Sequence, residues 1–89
     1  MKSHLSNQFI KSFKNLPDRV KHLAGKNYKI WKDNPYHPGL NFKEVKENTN
    51  MYSVRVGIGW RAIGLMQTDN IIWFWIGSHS DYDKIIEKL

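Results

Sequence analysis

Apolar residues recur at helical spacing through the first third of the chain. Phe9, Phe13 and Leu16 fall four and three apart, with Lys11, Lys14 and Asn15 between them. This stripe predicts an amphipathic helix within residues 6–16, capped by Ser6 or Asn7, whose side-chain oxygen can accept an unpaired N–H of the first turn. A short strand can precede it. Pro17 suits the first turn of a second helix, because the N–H it lacks is one that a helix start leaves unpaired anyway. Val20, Leu23, Ala24, Tyr28 and Trp31 then carry the helical period until Asn34-Pro35 ends it. The two helices make a hairpin whose polar face is basic: Lys14, Arg19, Lys21, Lys26, Lys29 and Lys32.

The period changes after the turn-rich run Asn34-Pro35-Tyr36-His37-Pro38-Gly39. Phe42 to Glu47 alternates weakly and predicts one strand. Met51 to Val56 alternates clearly, with Tyr52, Val54 and Val56 opposite Ser53 and Arg55, and predicts another. Gly57-Ile58-Gly59 is a turn, Trp60 to Met66 a further strand, and Gln67 to Asn70 a second turn. Ile71 to Ile76 reads IIWFWI without a polar residue, as expected of a strand covered on both faces near the middle of a sheet. Ser78 or Ser80 can cap a last helix with Tyr82, Ile85, Ile86 and Leu89 on its apolar side. Turns this short favour antiparallel neighbours. The expected class is α+β: a single domain over residues 1–89, with an N-terminal helical hairpin on an antiparallel sheet of three to four strands and a short C-terminal helix.

Composition narrows what such a domain can do. At 89 residues any site lies on the surface of one small core rather than between domains. The 40% hydrophobic and 13% aromatic content supports a modest core filled by few, large side chains. With no cysteine, neither disulfides nor thiolate metal clusters are available. No apolar run nears the roughly 18 residues of a membrane span, and the N-terminus lacks a signal-peptide pattern, so the expected compartment is the cytoplasm. Lys and Arg outnumber Asp and Glu by 14 to 8, a net charge of +6, which favours polyanionic partners or serves only solubility.

No Walker loop, GxGxxG, HExxH or metal-spaced Cys/His cluster is present, so no cofactor and no metal is expected. One constellation carries chemistry: Arg55 and Arg61 on neighbouring strands, and Gly77-Ser78-His79-Ser80-Asp81-Tyr82 where the apolar strand meets the last helix. Cations, an imidazole and a phenol at one sheet end suit metal-free RNA cleavage. The ribose 2′-hydroxyl then attacks the adjacent phosphate with help from a base, an acid and charge stabilisation. Histidine is the side chain suited to acid or base work near neutral pH, and arginines fork onto phosphate oxygens. Each residue has a competing structural role. His79 can be a hydrogen-bonding boundary residue, Arg55 and Arg61 can pair with Glu44 or Glu47, and Tyr82, Trp73 and Trp75 can be packing.

The runs Tyr52-Ser53-Val54-Arg55-Val56-Gly57, Trp60-Arg61-Ala62-Ile63-Gly64 and Ile76-Gly77-Ser78-His79 with Tyr82 resemble the RelE/ParE toxin superfamily, and the Phe9-Phe13-Leu16-Pro17 hairpin resembles its paired helices. The resemblance implies a toxin of a type II toxin–antitoxin system, silenced by a cognate antitoxin protein in a hetero-oligomer. RelE-like members cut messenger RNA at the ribosome without metal and so arrest translation and growth; ParE-like members bind DNA gyrase and are the alternative. By resemblance Arg61 falls on the arginine that contacts the scissile phosphate, Arg55 on a usually basic position, His79 on the strand-end Arg or His, and Tyr82 near the helix tyrosine. Ser53 stands where RelE-like enzymes often have Lys, so Lys43 or Lys46 would supply the RNA-binding cation. Glu44 or Glu47 is the alternative to His79 as general base. The expected catalytic set is Arg61, His79, Arg55 and Tyr82, on an enzyme assignment of endoribonuclease.

Overall fold

A computed structural model describes residues 1–89. In chain order the elements are β1 (Lys2–Leu5), α1 (Asn7–Lys14), α2 (Asp18–Asp33), a 3₁₀ turn (Pro38–Leu40), β2 (Lys43–Glu44), β3 (Met51–Gly57), β4 (Trp60–Gln67), β5 (Asn70–Ser78) and α3 (His79–Glu87). Ser6 caps α1, its hydroxyl accepting from the Phe9 N–H at 3.1 Å. Pro17 sits at the N-cap of α2, one residue ahead of the helix, and Asn34 closes its far end by donating back to the Ile30 carbonyl.

The expected α+β architecture is present, with five strands in the order β1-β5-β4-β3-β2. Two details of the sheet differ from expectation. First, β1 joins it and pairs parallel with β5, Ser3 against Ile71 and Leu5 against Trp73. Short turns dictate antiparallel pairing only between consecutive strands, and everything from α1 to β4 lies between these two, enough chain for a parallel return. Second, the strand foreseen over Phe42–Glu47 is only Lys43–Glu44. Asn48 and Asn50 adopt left-handed backbone, φ 65° and 59°, and turn the chain before the pairing can lengthen.

Pairing sorts the strand residues onto two faces. Tyr52, Val54 and Val56 of β3 meet Ala62, Gly64 and Met66 of β4 and Ile71, Trp73 and Ile76 of β5 on the face covered by α1 and α2. The register shifts between Ile63 and Gly64, which pair with Trp75 and Trp73 and leave Phe74 unpaired. This bulge puts the two tryptophans on opposite faces. Gly64 is required by that packing: a Cβ there would lie 2.8 Å from the Trp73 ring and 2.7 Å from Ile71.

Trp31 of α2 centres the core at 2% exposure, edge-on to Trp73 (5.4 Å) and Phe42 (5.7 Å) and stacked on Tyr28 (6.1 Å). Such pairs add roughly 0.5–1.5 kcal/mol each beyond the apolar area they bury. Because α1 lies over β5 and α2 over β3, a groove of about 430 Å³ opens between them above the small Ala62. Its lining is almost wholly apolar, and the indole N–H groups of Trp31 and Trp73, buried at its floor, have no acceptor.

Candidate functional site

The opposite face of the sheet carries most of the constellation singled out in the sequence. Residues directly paired across strands share a face. Lys43, Ser53, Ile63 and Trp75 therefore form one row across β2 to β5, and Arg55, Arg61 and Gly77 the next. Helix α3 lies across this face. Ser78 starts it, its hydroxyl accepting from the Asp81 N–H at 3.1 Å. His79 is its first residue, and the His79 N–H donates to the Gly59 carbonyl at 2.7 Å, tying the helix start to the β3–β4 turn.

The His79 side chain is half exposed, with Nε2 3.4 Å from Asp83 Oδ1 one helical turn on. A carboxylate at that distance orients the ring. Tyr82 is adjacent, its ring 5.8 Å from that of His79 and 6.4 Å from that of Trp75. The Tyr82 hydroxyl donates to Ser53 Oγ at 3.0 Å, and Ser53 is 3% exposed. The position where a lysine is common in the resembled enzymes thus holds a small buried acceptor that pins the tyrosine.

Arg61 Nη1 folds over its own hairpin, donating to the Trp60 carbonyl at 2.8 Å and weakly to Gly57 at 3.4 Å. Its Nη2 and Nε have no protein acceptor. Neither arginine pairs with Glu44 or Glu47: the contacts between basic and acidic side chains are Lys21–Asp18, His79–Asp83 and Lys84–Asp81. Glu44 accepts from the Asn50 N–H at 3.0 Å and pairs with Tyr52, so it serves the β2–β3 connection on the side of the sheet away from Ser53. Lys46 points elsewhere, donating to the Leu89 carbonyl at 2.5 Å.

The fold therefore gathers Arg55, Arg61, His79, Tyr82 and Lys43 on one face and leaves out Lys46 and Glu44. It adds Trp75, which the sequence pattern assigns to packing. The half-buried Trp75 ring lies over Gly77, where a Cβ would fall 2.7 Å from it. An unbroken apolar run hides the bulge that turns this ring to the site. No group of three His, Cys, Asp or Glu side chains is placed to hold a metal ion. Three cations outside any ion pair, a carboxylate-oriented imidazole, a pinned phenol and an indole face are a set fitted to a phosphodiester and its base.

Comparison with known proteins agrees with this reading of the fold. The model of the ParE-like toxin domain family matches residues 18–84, so the chain belongs to that family and is a toxin of a toxin–antitoxin system of the RelE/ParE kind. Among solved structures it is similar to a chain of the RelB–RelE antitoxin–toxin complex of Methanococcus jannaschii (22% identity, 91% of this chain and 96% of that one, TM-score 0.72). It is also similar to YafQ of E. coli (15% identity, 91% and 96%, TM-score 0.71) and to the isolated E. coli RelE toxin (11% identity, 98% and 96%, TM-score 0.66). At such identities these likenesses establish the fold. No curated protein sequence matches the chain. No helix is long and apolar enough to cross a membrane.

Proposed function

We propose that this toxin is a ribosome-dependent endoribonuclease of messenger RNA that works without a metal, acts in the cytoplasm, and is held silent by a cognate antitoxin. The observation that carries this reading is the His79–Asp83 contact at 3.4 Å, set beside the cross-strand pair Arg55–Arg61. In the reaction the 2′-oxygen bonds to phosphorus, its proton passes to a base, and the bond to the 5′-oxygen breaks as that oxygen takes a proton. The products are a 2′,3′-cyclic phosphate and a 5′-hydroxyl. His79 is the proton-transfer group, and a positioned histidine contributes roughly 10²–10⁴-fold. Arg61 and Arg55 take the charge that gathers on the non-bridging oxygens. Lys43 contacts the strand, Tyr82 supports the His79 ring, and Trp75 offers a face on which a base can stack.

The antitoxin is the natural occupant of the groove between α1 and α2. Its largely apolar lining and exposed rim residues Leu5 and Ile10 leave a surface that a free toxin hides from water poorly. A second reading, a non-enzymatic gyrase inhibitor, is favoured by the Arg61 contacts to its own hairpin and by Ser53 in the usual lysine position.

Pulsed expression separates the two. New messenger-RNA ends within codons, together with arrest of amino-acid incorporation within minutes, support the nuclease. Continued translation with DNA-damage signalling transfers the assignment to gyrase.

A further inference from the structure

A second cleft lies on the other side of the Gly57-Ile58-Gly59 tip. On α2, Arg19, Leu23 and Asn27 stand four apart and form one stripe, which faces Arg55, Gly57 and Ile58, with Gly39 of the 3₁₀ turn closing the side. The space enclosed is about 300 Å³. Its base is fixed: the Asn27 amide donates to the Val56 carbonyl, and Leu23 packs so closely on Gly57 that a Cβ there would sit 3.1 Å away. None of the lining residues is acidic, and neither Arg19 nor Arg55 is in an ion pair. Ile58 forms the lip at 86% exposure, the most exposed large hydrophobic side chain of the chain.

Two unpaired guanidinium groups beside an apolar lip fit a phosphodiester together with its sugar or base. We propose that this cleft is a second strand-binding subsite, in which Arg19 holds the backbone phosphate of single-stranded RNA next to the scissile one, Arg55 stands between the two phosphates, and Ile58 packs on the attached nucleoside. This deepens the nuclease reading and rests on it for the identity of the polymer.

The tip itself favours a nucleic-acid strand over a single phosphate. Its carbonyls are held from the cleavage side, Gly57 by Arg61 and Gly59 by the His79 N–H. The tip is only two Cα steps wide, about 7 Å. A polymer with a charge on every unit can therefore engage both sides of it, whereas a lone phosphate engages one. An unpaired Ile58 between glycines adds nothing to the core, yet it stands where a nucleoside bound by the arginines would lie.

The test is binding by the purified chain, without ribosomes, of a fluorescent ten-nucleotide RNA carrying 2′-O-methyl groups, which cannot be cut by 2′-attack. Binding is read by anisotropy across a salt series. Arg19→Ala is expected to weaken binding about tenfold and to lower the salt slope by about one unit. Ile58→Ala should weaken it severalfold without changing the slope. Lys29→Ala, an equal loss of charge elsewhere on α2, should change affinity less than twofold.

Equal losses for Arg19→Ala and Lys29→Ala would show diffuse attraction and overturn the subsite, as would failure to bind the probe. Displacement by polyglutamate as effective as by RNA would make the cleft a site for an acidic protein segment. Displacement by inorganic phosphate at similar concentration would make it a small-anion site. Loss of the nuclease reading is a separate result: Arg19-dependent binding with no messenger-RNA cleavage on expression keeps the subsite and removes the reaction, whereas cleavage with Arg19-independent binding does the reverse.

Discussion

The two faces of the sheet are built on different principles. The face under α1 and α2 is held by volume, with Trp31, Trp73, Phe42, Ile71 and Val20 interlocked and almost fully buried. The face under α3 is held by a few directed contacts, chiefly Tyr82 to Ser53, the His79 N–H to Gly59, and the cap at Ser78. Loss of a large side chain on the first face leaves a void that the rest cannot fill. Loss of one contact on the second moves a side chain and leaves the chain folded. A small protein can thus keep its chemistry on the lightly built side without endangering the fold.

Substitutions can sharpen or break this contrast. Trp31→Ala should have the largest effect, a loss of about 3–5 kcal/mol read from the denaturation midpoint, with toxicity falling only because folded protein is lost. A change under 1 kcal/mol would mean that the helix-side face does not carry the stability assigned to it. His79→Ala should lower messenger-RNA cleavage by at least about 100-fold, some 2.7 kcal/mol in the barrier, while the midpoint moves by less than a tenth of that expected for Trp31→Ala. Parental cleavage by this variant removes His79 from the reaction.

Tyr82→Phe should cost about 1 kcal/mol, because Ser53 loses its partner while buried. Its effect on cleavage, through the less fixed His79 ring, should be smaller than that of His79→Ala. Asp83→Asn should be the mildest for stability, under about 0.5 kcal/mol for a contact this exposed, yet it should still slow cleavage by removing the carboxylate that orients the ring. If instead Asp83→Asn unfolds the protein and leaves cleavage unchanged, the two faces are not divided as described.

Local pattern revealed the elements because each hairpin and helix here is written in nearest-neighbour terms. Pro17, Asn34-Pro35 and the Gly57-Ile58-Gly59 turn mark breaks by their backbone preferences alone. The resemblance carried by Arg55, Arg61 and the Ile76–His79 run extended this to family, and the ParE-like family model agrees. The site was legible only in part. Arg55, Arg61, His79 and Tyr82 do meet on one face, since cross-strand register and a strand-to-helix junction follow from short turns. Lys46 lies past β2, of which only two residues rather than six join the sheet, and bonds to Leu89, whereas Glu44 lies within β2 but alternates to the side away from Ser53 and accepts from Asn50.

By itself, then, the sequence determined the order of helices and strands, the single apolar core and the basic character. Tertiary structure alone decided that β1 returns parallel to β5, that the bulge at Phe74 turns Trp75 away from the core, and that Arg19 meets Arg55 across a cleft. The physical reason is range. Periodicity, caps and turns act between residues a few positions apart, whereas partners such as Ser3 and Ile71, or Arg19 and Arg55, are chosen by how whole layers pack, and no local spacing encodes that choice.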